Sequence, residues 1–179
     1  FEDECGPFDN RFNVIDFKTE LKKITFSESD FSLNSLETDS VTFDELALQM
    51  LAVTESYQAH SRIHPKLTFP FSSRAYACSP PNITSDETIT DIQIFSDNNY
   101  SNEFSSTDDI SQLFDVIVYY DRNGYQRFSL NEFLSSKPET PLEIILVLRT
   151  PPESSQSFQF TIKYFQDGLE LNQFEFTTS

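Results

Sequence analysis

The stretch FQFTIKYFQDGLELNQFEFT (residues 158–177) reads as a complete β-hairpin. Phe158, Phe160, Ile162 and Tyr164 alternate with Gln159, Thr161 and Lys163, the period of two that sends successive side chains to opposite faces of a sheet. Asp167-Gly168 accepts positive φ at both central positions, so a tight, primed two-residue turn is expected there. On the return, Leu169 and Leu171 share one parity while Phe174 and Phe176 share the other. One extra residue, a β-bulge at Asn172-Gln173, is expected to bring both pairs to the core. Such a hairpin is marginal alone, so the rest of the chain must supply a second sheet.

Working outward, the segment 142–149 (LEIILVLR) after Pro141 reads as a buried strand, and 116–120 (VIVYY) as a central strand closed by the turn Asp121-Arg122-Asn123-Gly124. Ser129-Leu130-Asn131-Glu132 is a capping box for a short helix that Lys137-Pro138 stops. Thr107 reads as the N-cap of a second one, with Asp108 and Asp109 at its positive end and Ile110, Leu113 and Phe114 following. Ile92 and Ile94 share one face of a strand over 89–95, and Pro70 marks 69–78 as an edge strand. Residues 12–26 read as two extended pieces, with Phe12 and Val14 on one face, Ile24 and Phe26 marking the second piece, and lysines interrupting between. The Ser-, Asp- and Thr-rich residues 27–42 read as a long loop. Residues 43–55 carry two patterns at once. Thr42 and Glu45 fit a capping box and Phe43, Leu46 and Met50 fit helical spacing, but Leu46, Leu48 and Met50 also alternate. The absence of a helical stop signal at 54–57 favours strand. Short strands, long loops and one or two short helical turns make an all-β, antiparallel β-sandwich, expected as a single domain over 1–179 with 1–11 as an N-terminal tail.

The composition agrees, since 19 Phe and 7 Tyr favour strands. Asp and Glu total 29 against 12 Lys and Arg, a formal net charge of −17 that repels phosphate backbones and anionic lipid, so no nucleic-acid partner is expected. No apolar run approaches the ~20 residues of a membrane-spanning helix.

Signals for chemistry are sparse. His60 and His64 stand four apart, a zinc-compatible spacing on a helix, but Pro65 disfavours helical geometry at His64 and no Glu flanks His60. There is no G-x-S-x-G elbow and no Gly-rich phosphate loop, so no catalytic residue, cofactor or metal ligand is assigned and the chain is read as non-enzymatic. Asp97-Asn98-Asn99 has the oxygen-rich composition of a calcium loop fragment, as has Asp121-x-Asn123-Gly124, which fits a hairpin turn better. Asn82-Ile83-Thr84 and Asn99-Tyr100-Ser101 match glycosylation acceptors. Cys5 and Cys78 are the only cysteines: plain thiols in a reducing compartment, a tether for the N-terminus in an oxidising one. Pairing is favoured, because the N-terminal segment gains most from an anchor.

The stretches FPFSSRAYACSPP (69–81), ITDIQIFSD (89–97), LFDV (113–116), SLNEFLS (129–135) and FTIKYFQDG (160–168) resemble a domain-of-unknown-function family of secreted lipoproteins from Bacteroidetes, most strongly over 69–179. The resemblance implies export, a lipid on a cysteine preceding Phe1 and an immunoglobulin-like sandwich; it brings no activity and no catalytic residues. It also strengthens the Cys5 to Cys78 disulfide and the strand reading of 46–53. The expectation is a lipid-anchored protein of the periplasm or cell surface, at the outer membrane, that binds or scaffolds an unknown protein or glycan partner. The membrane is met only through the anchor, and the loops 27–42, 56–68 and 96–106 are candidate contact surfaces. The alternative is a glycan-binding surface protein accessory to polysaccharide uptake, using Tyr57, Tyr76, Tyr100 or Tyr125 as platforms; an envelope hydrolase ranks below it. Mass spectrometry of unreduced protein is expected to find no free thiol. Reduction then removes roughly 4.4 kcal/mol, the chain-entropy value for a loop of about 74 residues.

Overall fold

The computed structural model describes residues 10–28, 30–36, 40–58, 84–120, 124–167 and 171–178. Its strands are β1 (Asn10–Phe26), β2 (Phe31–Ser35), β3 (Leu46–Gln58), β4 (Thr84–Ser85), β5 (Thr88–Ser96), β6 (Phe114–Tyr120), β7 (Gly124–Ser129), β8 (Glu143–Leu148), β9 (Phe160–Asp167) and β10 (Leu171–Thr178). One short helix, α1 (Leu130–Ser135), follows β7, and 3-10 turns at Phe43–Glu45 and Ser111–Leu113 precede β3 and β6. Among the described residues seven strands form one sheet in the order β2-β1-β3-β8-β6-β7, with β4 pairing β1 off this path, and β10-β9-β5 form the other. The ladders are antiparallel except for the short β1–β4 pair. The expected all-β sandwich is what forms.

The main core lies between the sheets. β9 contributes Phe160, Ile162 and Tyr164 from the alternating face, opposed by Met50, Ile144 and Leu146 of the larger sheet. β8 is buried from Ile144 through Leu148 on both faces, because its odd residues, Ile145 and Val147, join Ile24, Ala47 and Ile117 in a second cluster behind the sheet. That second cluster exists because the large sheet curls. Tyr125 of β7, at one edge, meets Phe26 of β1 and Phe31 of β2, at the other, with ring centroids 5.5 Å apart in each pair.

β1 is one continuous strand of 17 residues, which corrects the expectation of two pieces. Its pairing with β3 slips between Val14 and Asp16, a β-bulge at Ile15. The sequence demands the slip: in FNVIDFKTEL an unbroken period of two from Phe12 and Val14 would point Asp16 and Lys18 into the core and Phe17 out. With one residue extra, Phe12, Val14 and Phe17 are all buried, Leu21 packs on the same core, and Ile24 turns to the second cluster. Phe17 then meets Tyr164 at 4.6 Å and Phe174 at 6.1 Å across the sandwich. β5 carries a matching slip between Ile89 and Asp91, so that Ile89, Ile92 and Ile94 are all buried despite their mixed parity.

Along the edge of β1 away from β3, β4 pairs only Arg11 and Phe12 and β2 only Lys22 to Phe26, and buried backbone groups between them are costly unless paired. Here the Val14 N–H donates to Glu87 Oε2 at 2.9 Å, and the Val14 carbonyl accepts from Gln166 Nε2 of β9 at 3.2 Å. Ser85 Oγ donates to the same Glu87 oxygen at 2.8 Å. Glu87 and Gln166 are both buried, and Gln166 shares the parity of Phe160, Ile162 and Tyr164 on the core face of β9. The residues after α1 cover the outer edge of β5: Ile89 N–H donates to Pro138 O at 2.9 Å, Thr140 N–H to Glu87 O at 2.9 Å, and Thr140 Oγ1 lies 3.0 Å from the Tyr164 hydroxyl.

Other local expectations meet mixed outcomes. The closing hairpin pairs Asp167 with Leu171 and runs without a slip through Gln173 to Thr178. Asp167 is therefore a strand residue opposite Leu171 and not a central turn residue, residues 168–170 lie outside the described residues, and no bulge occurs at Asn172-Gln173. This register sets Phe174 opposite Tyr164, on the core face. Residues 31–35, expected as loop, form β2, because Phe31 and Leu33 find the second cluster. Residues 43–55 give a 3-10 turn and then strand, as favoured, and Thr42 makes no side-chain cap. Thr107 caps no helix: only the 3-10 turn Ser111–Leu113 forms, and Phe114 opens β6. Ser129 does cap α1, accepting from Glu132 N–H at 3.2 Å, and Lys137 closes it with a left-handed φ of 50°. The strand over 69–78 and the turn residues 121–123 lie outside the described residues. Glu87→Ala, which strands the buried Val14 N–H, is expected to lower stability in urea denaturation by about 1–3 kcal/mol. Ser129→Ala should cost about 1 kcal/mol.

Candidate functional site

Two irregular segments meet at one end of the sandwich: 97–110, leaving β5, and 149–159, joining β8 to β9. Both start from the smaller sheet's β5–β9 ladder, which Asp97 and Gln159 extend: Asp97 N–H donates to Gln159 O at 3.0 Å and Gln159 N–H to Asp97 Oδ1 at 2.7 Å. Tyr100 anchors the arrangement from below. Its buried ring lies 5.5 Å from that of Phe158, and its hydroxyl donates to the Thr150 carbonyl. Glu153 N–H returns a bond to Tyr100 O at 3.0 Å.

Above Tyr100 the facing loops enclose an open cleft of ≈ 590 Å³ walled by residues 97–102, 105, 106, 153, 154 and 156. Four amide side chains in its wall are each held by one end. Asn98 Nδ2 donates to Ser157 O at 2.9 Å, Gln156 Nε2 to Asn99 O at 2.9 Å, and Asn102 Nδ2 to Glu153 Oε1, while Asn99 Oδ1 accepts from Ser106 N–H at 3.0 Å. Among the described residues no hydrogen bond occupies the other ends. Three acceptors and one amide donor are thus fixed in place beside the hydroxyls of Ser101, Ser105, Ser106 and Ser154. Among the described residues no Lys, Arg, His or Cys lines the wall, and Asp97 and Glu153 make it acidic. Such a surface can hydrogen-bond a polar ligand.

Asp97, Asn98 and Asn99 do not converge on a common point for calcium. Their amide and carboxylate groups run separately to Gln159, Ser157 and Ser106. Among the described residues no group of three or more His, Cys, Asp or Glu is placed to hold a metal ion. Asp108 and Asp109, expected at a helix end, brace turns instead: Asp109 Oδ1 accepts from Ile94 N–H at 3.1 Å and Ser111 N–H at 2.9 Å. Of the candidate aromatic platforms, Tyr100 is core and Tyr125 closes the curled sheet, so neither presents a free ring face. Cys5, Cys78, His60, His64, Tyr76 and Asn82 lie outside the described residues, as does the Tyr57 side chain.

A shallower depression of ≈ 320 Å³ on the outer face of the smaller sheet contains Lys163, whose ammonium is engaged by the Phe95 ring at 5.3 Å and by Glu175 at 3.5 Å. The sequence had flagged 96–106 as a contact surface, but gave no sign that 153–156 forms its opposite wall. Only long-range pairing reveals that.

The Ser105 hydroxyl and backbone N–H both donate to Asp108 Oδ2 at 2.7 Å and hold its carboxyl below the ordinary 3.8. A lowered folded value stabilises above 3.8 and is lost as pH falls through it. NMR titration should therefore find Asp108 ionising below 3.8 and Ser105→Ala moving it back up. Burial raises the Tyr100 phenol above its usual 10.0, so the folded protein is expected to lose stability as pH climbs past 10.

A family model described as "Domain of unknown function (DUF5034)" matches residues 33–175. No curated protein matches the chain, and no solved structure does.

Proposed function

We propose, for a chain that belongs to the DUF5034 family, a non-enzymatic role as a binding or scaffolding domain of the bacterial cell envelope, with the cleft between 97–106 and 153–156 as its recognition surface. The family span of 33–175 includes both walls. The observation that carries the reading is the set of four amide side chains held by one end each. Prepaid side-chain ordering lowers the cost of binding, and a wall of amides and hydroxyls suits recognition of a polar ligand. Export, a lipid on a cysteine preceding Phe1, a Cys5 to Cys78 disulfide and a place at the outer membrane of a Bacteroidetes cell belong to the same proposal, supported by the sequence resemblance. The partner is an envelope protein or glycan.

A second reading, glycan recognition, is favoured by the cleft's chemistry: hydroxyl groups both donate and accept, and the wall offers both in fixed positions. Such binding rests on hydrogen bonds and not on ring stacking, since Tyr100 lies in the core.

Cell fractionation with site-specific cross-linking from position 98 tests the first reading. A membrane-fraction protein that captures one discrete envelope component, with capture lost in Asn102→Ala, is expected; a cytosolic protein that captures nothing ends it. A glycan array should give hits among uncharged glycans that Asn102→Ala weakens by about tenfold, the loss of one or two hydrogen bonds. A blank array discards the glycan reading alone.

A further inference from the structure

Among the described residues of this acidic chain, Asp115 gathers two positive charges around one carboxylate. Asp115, near the start of β6, is almost buried, and its carboxylate is shared by two arginines from the flanking strands. Arg127 of β7 donates Nε to Asp115 Oδ2 at 2.7 Å and Nη2 to Leu148 O at 3.2 Å. Arg149, directly after β8, donates Nη2 to Gln112 O at 2.6 Å and brings Nη1 to 3.8 Å from Asp115 Oδ1. The side chains of Arg127 and Arg149 remain 38 % and 50 % exposed, while that of Asp115 is 10 % exposed. One carboxylate thus faces two guanidinium groups, and among the described residues no second carboxylate pairs with either. In a chain with 29 acids and 12 bases that balance is unusual.

We propose that Arg127 and Arg149 form a recognition site for an oxyanion: a carboxylate, sulfate or phosphate group. The bonds to Asp115, Leu148 and Gln112 fix both guanidiniums from the protein side, so their planar forks are oriented before a ligand arrives, and the unneutralised charge supplies the attraction. Among the described residues no hydrogen bond uses Arg127 Nη1 or Arg149 Nε. The site is separate from the cleft and does not depend on its role. A free small oxyanion and an acidic side chain of a partner protein present the same chemistry.

The test is an NMR titration of the full chain at low salt with two probes, inorganic phosphate and a tetraglutamate peptide, following the backbone amides of Gln112, Asp115 and Arg149. Saturable shifts there are expected, about tenfold weaker in Arg149→Gln, partly restored in Arg149→Lys and suppressed by added salt. Response to phosphate alone identifies a small oxyanion as the ligand; response to the peptide alone identifies an acidic protein partner. No saturable shift with either probe overturns the proposal, as do shifts of equal strength in Arg149→Gln. Arg149 is half exposed, so the variant is expected to fold, and Arg127→Gln serves as a second variant with the same expected loss.

Discussion

The sandwich depends on how the Val14 peptide groups are paired. The bulge at Ile15 lets one long strand place Phe12, Val14 and Phe17 on the same core face, and Val14, which pairs with Thr54 of β3, bonds through its N–H and carbonyl to side chains and not to a further strand. Glu87, in the segment entering the smaller sheet, takes the first group, and Gln166, on that sheet's middle strand, donates to the second. The backbone of one sheet is thereby tied by polar bonds to the chain of the other. Phe17, brought inward by the slip, adds the ring contacts with Tyr164 and Phe174 beside them. Buried polar groups that are bonded in this way specify one register, since any other leaves them without partners.

Away from the bulge, the same economy of pairing shapes the surface. The curled sheet closes through Phe26, Phe31 and Tyr125, and the segment after α1 covers the β5 edge, so aromatic rings and backbone both find partners. The loop end of the sandwich differs in kind. There the side-chain amides spend one polar group on the opposing loop and keep one for the cleft, and the ordering cost of the loops is met by Tyr100 beneath them. A rigid rim on a packed platform is a common arrangement for recognition.

Much of the fold could be read from the chain. Alternation at Phe160, Ile162 and Tyr164, the doubly apolar run around Ile145, and the Ser129 cap all act locally, and each took the form expected. What the sequence hid was non-local. The extra residue expected in β10 is not there, since that ladder runs without a slip; the slips fall instead at Ile15 and Thr90. Reading Phe12, Val14 and Phe17 as one face would have found the first of them. Phe31 and Leu33 sit among serines and acids, and only the curl of the sheet gives them something to bury against. The cleft was half legible, because the polar residues 96–106 announce a loop, whereas its partner wall at 153–156 is fixed by tertiary pairing. Asp115 between two arginines likewise follows from strand order, which the sequence does not state.

The bond from Val14 to Glu87 can be observed directly by native-state amide hydrogen exchange. The Val14 amide, held by a buried carboxylate, should exchange only through global unfolding, as slowly as the amides of β8 such as Leu146. Exchange at Val14 as fast as in the exposed turns would contradict the polar link between the sheets.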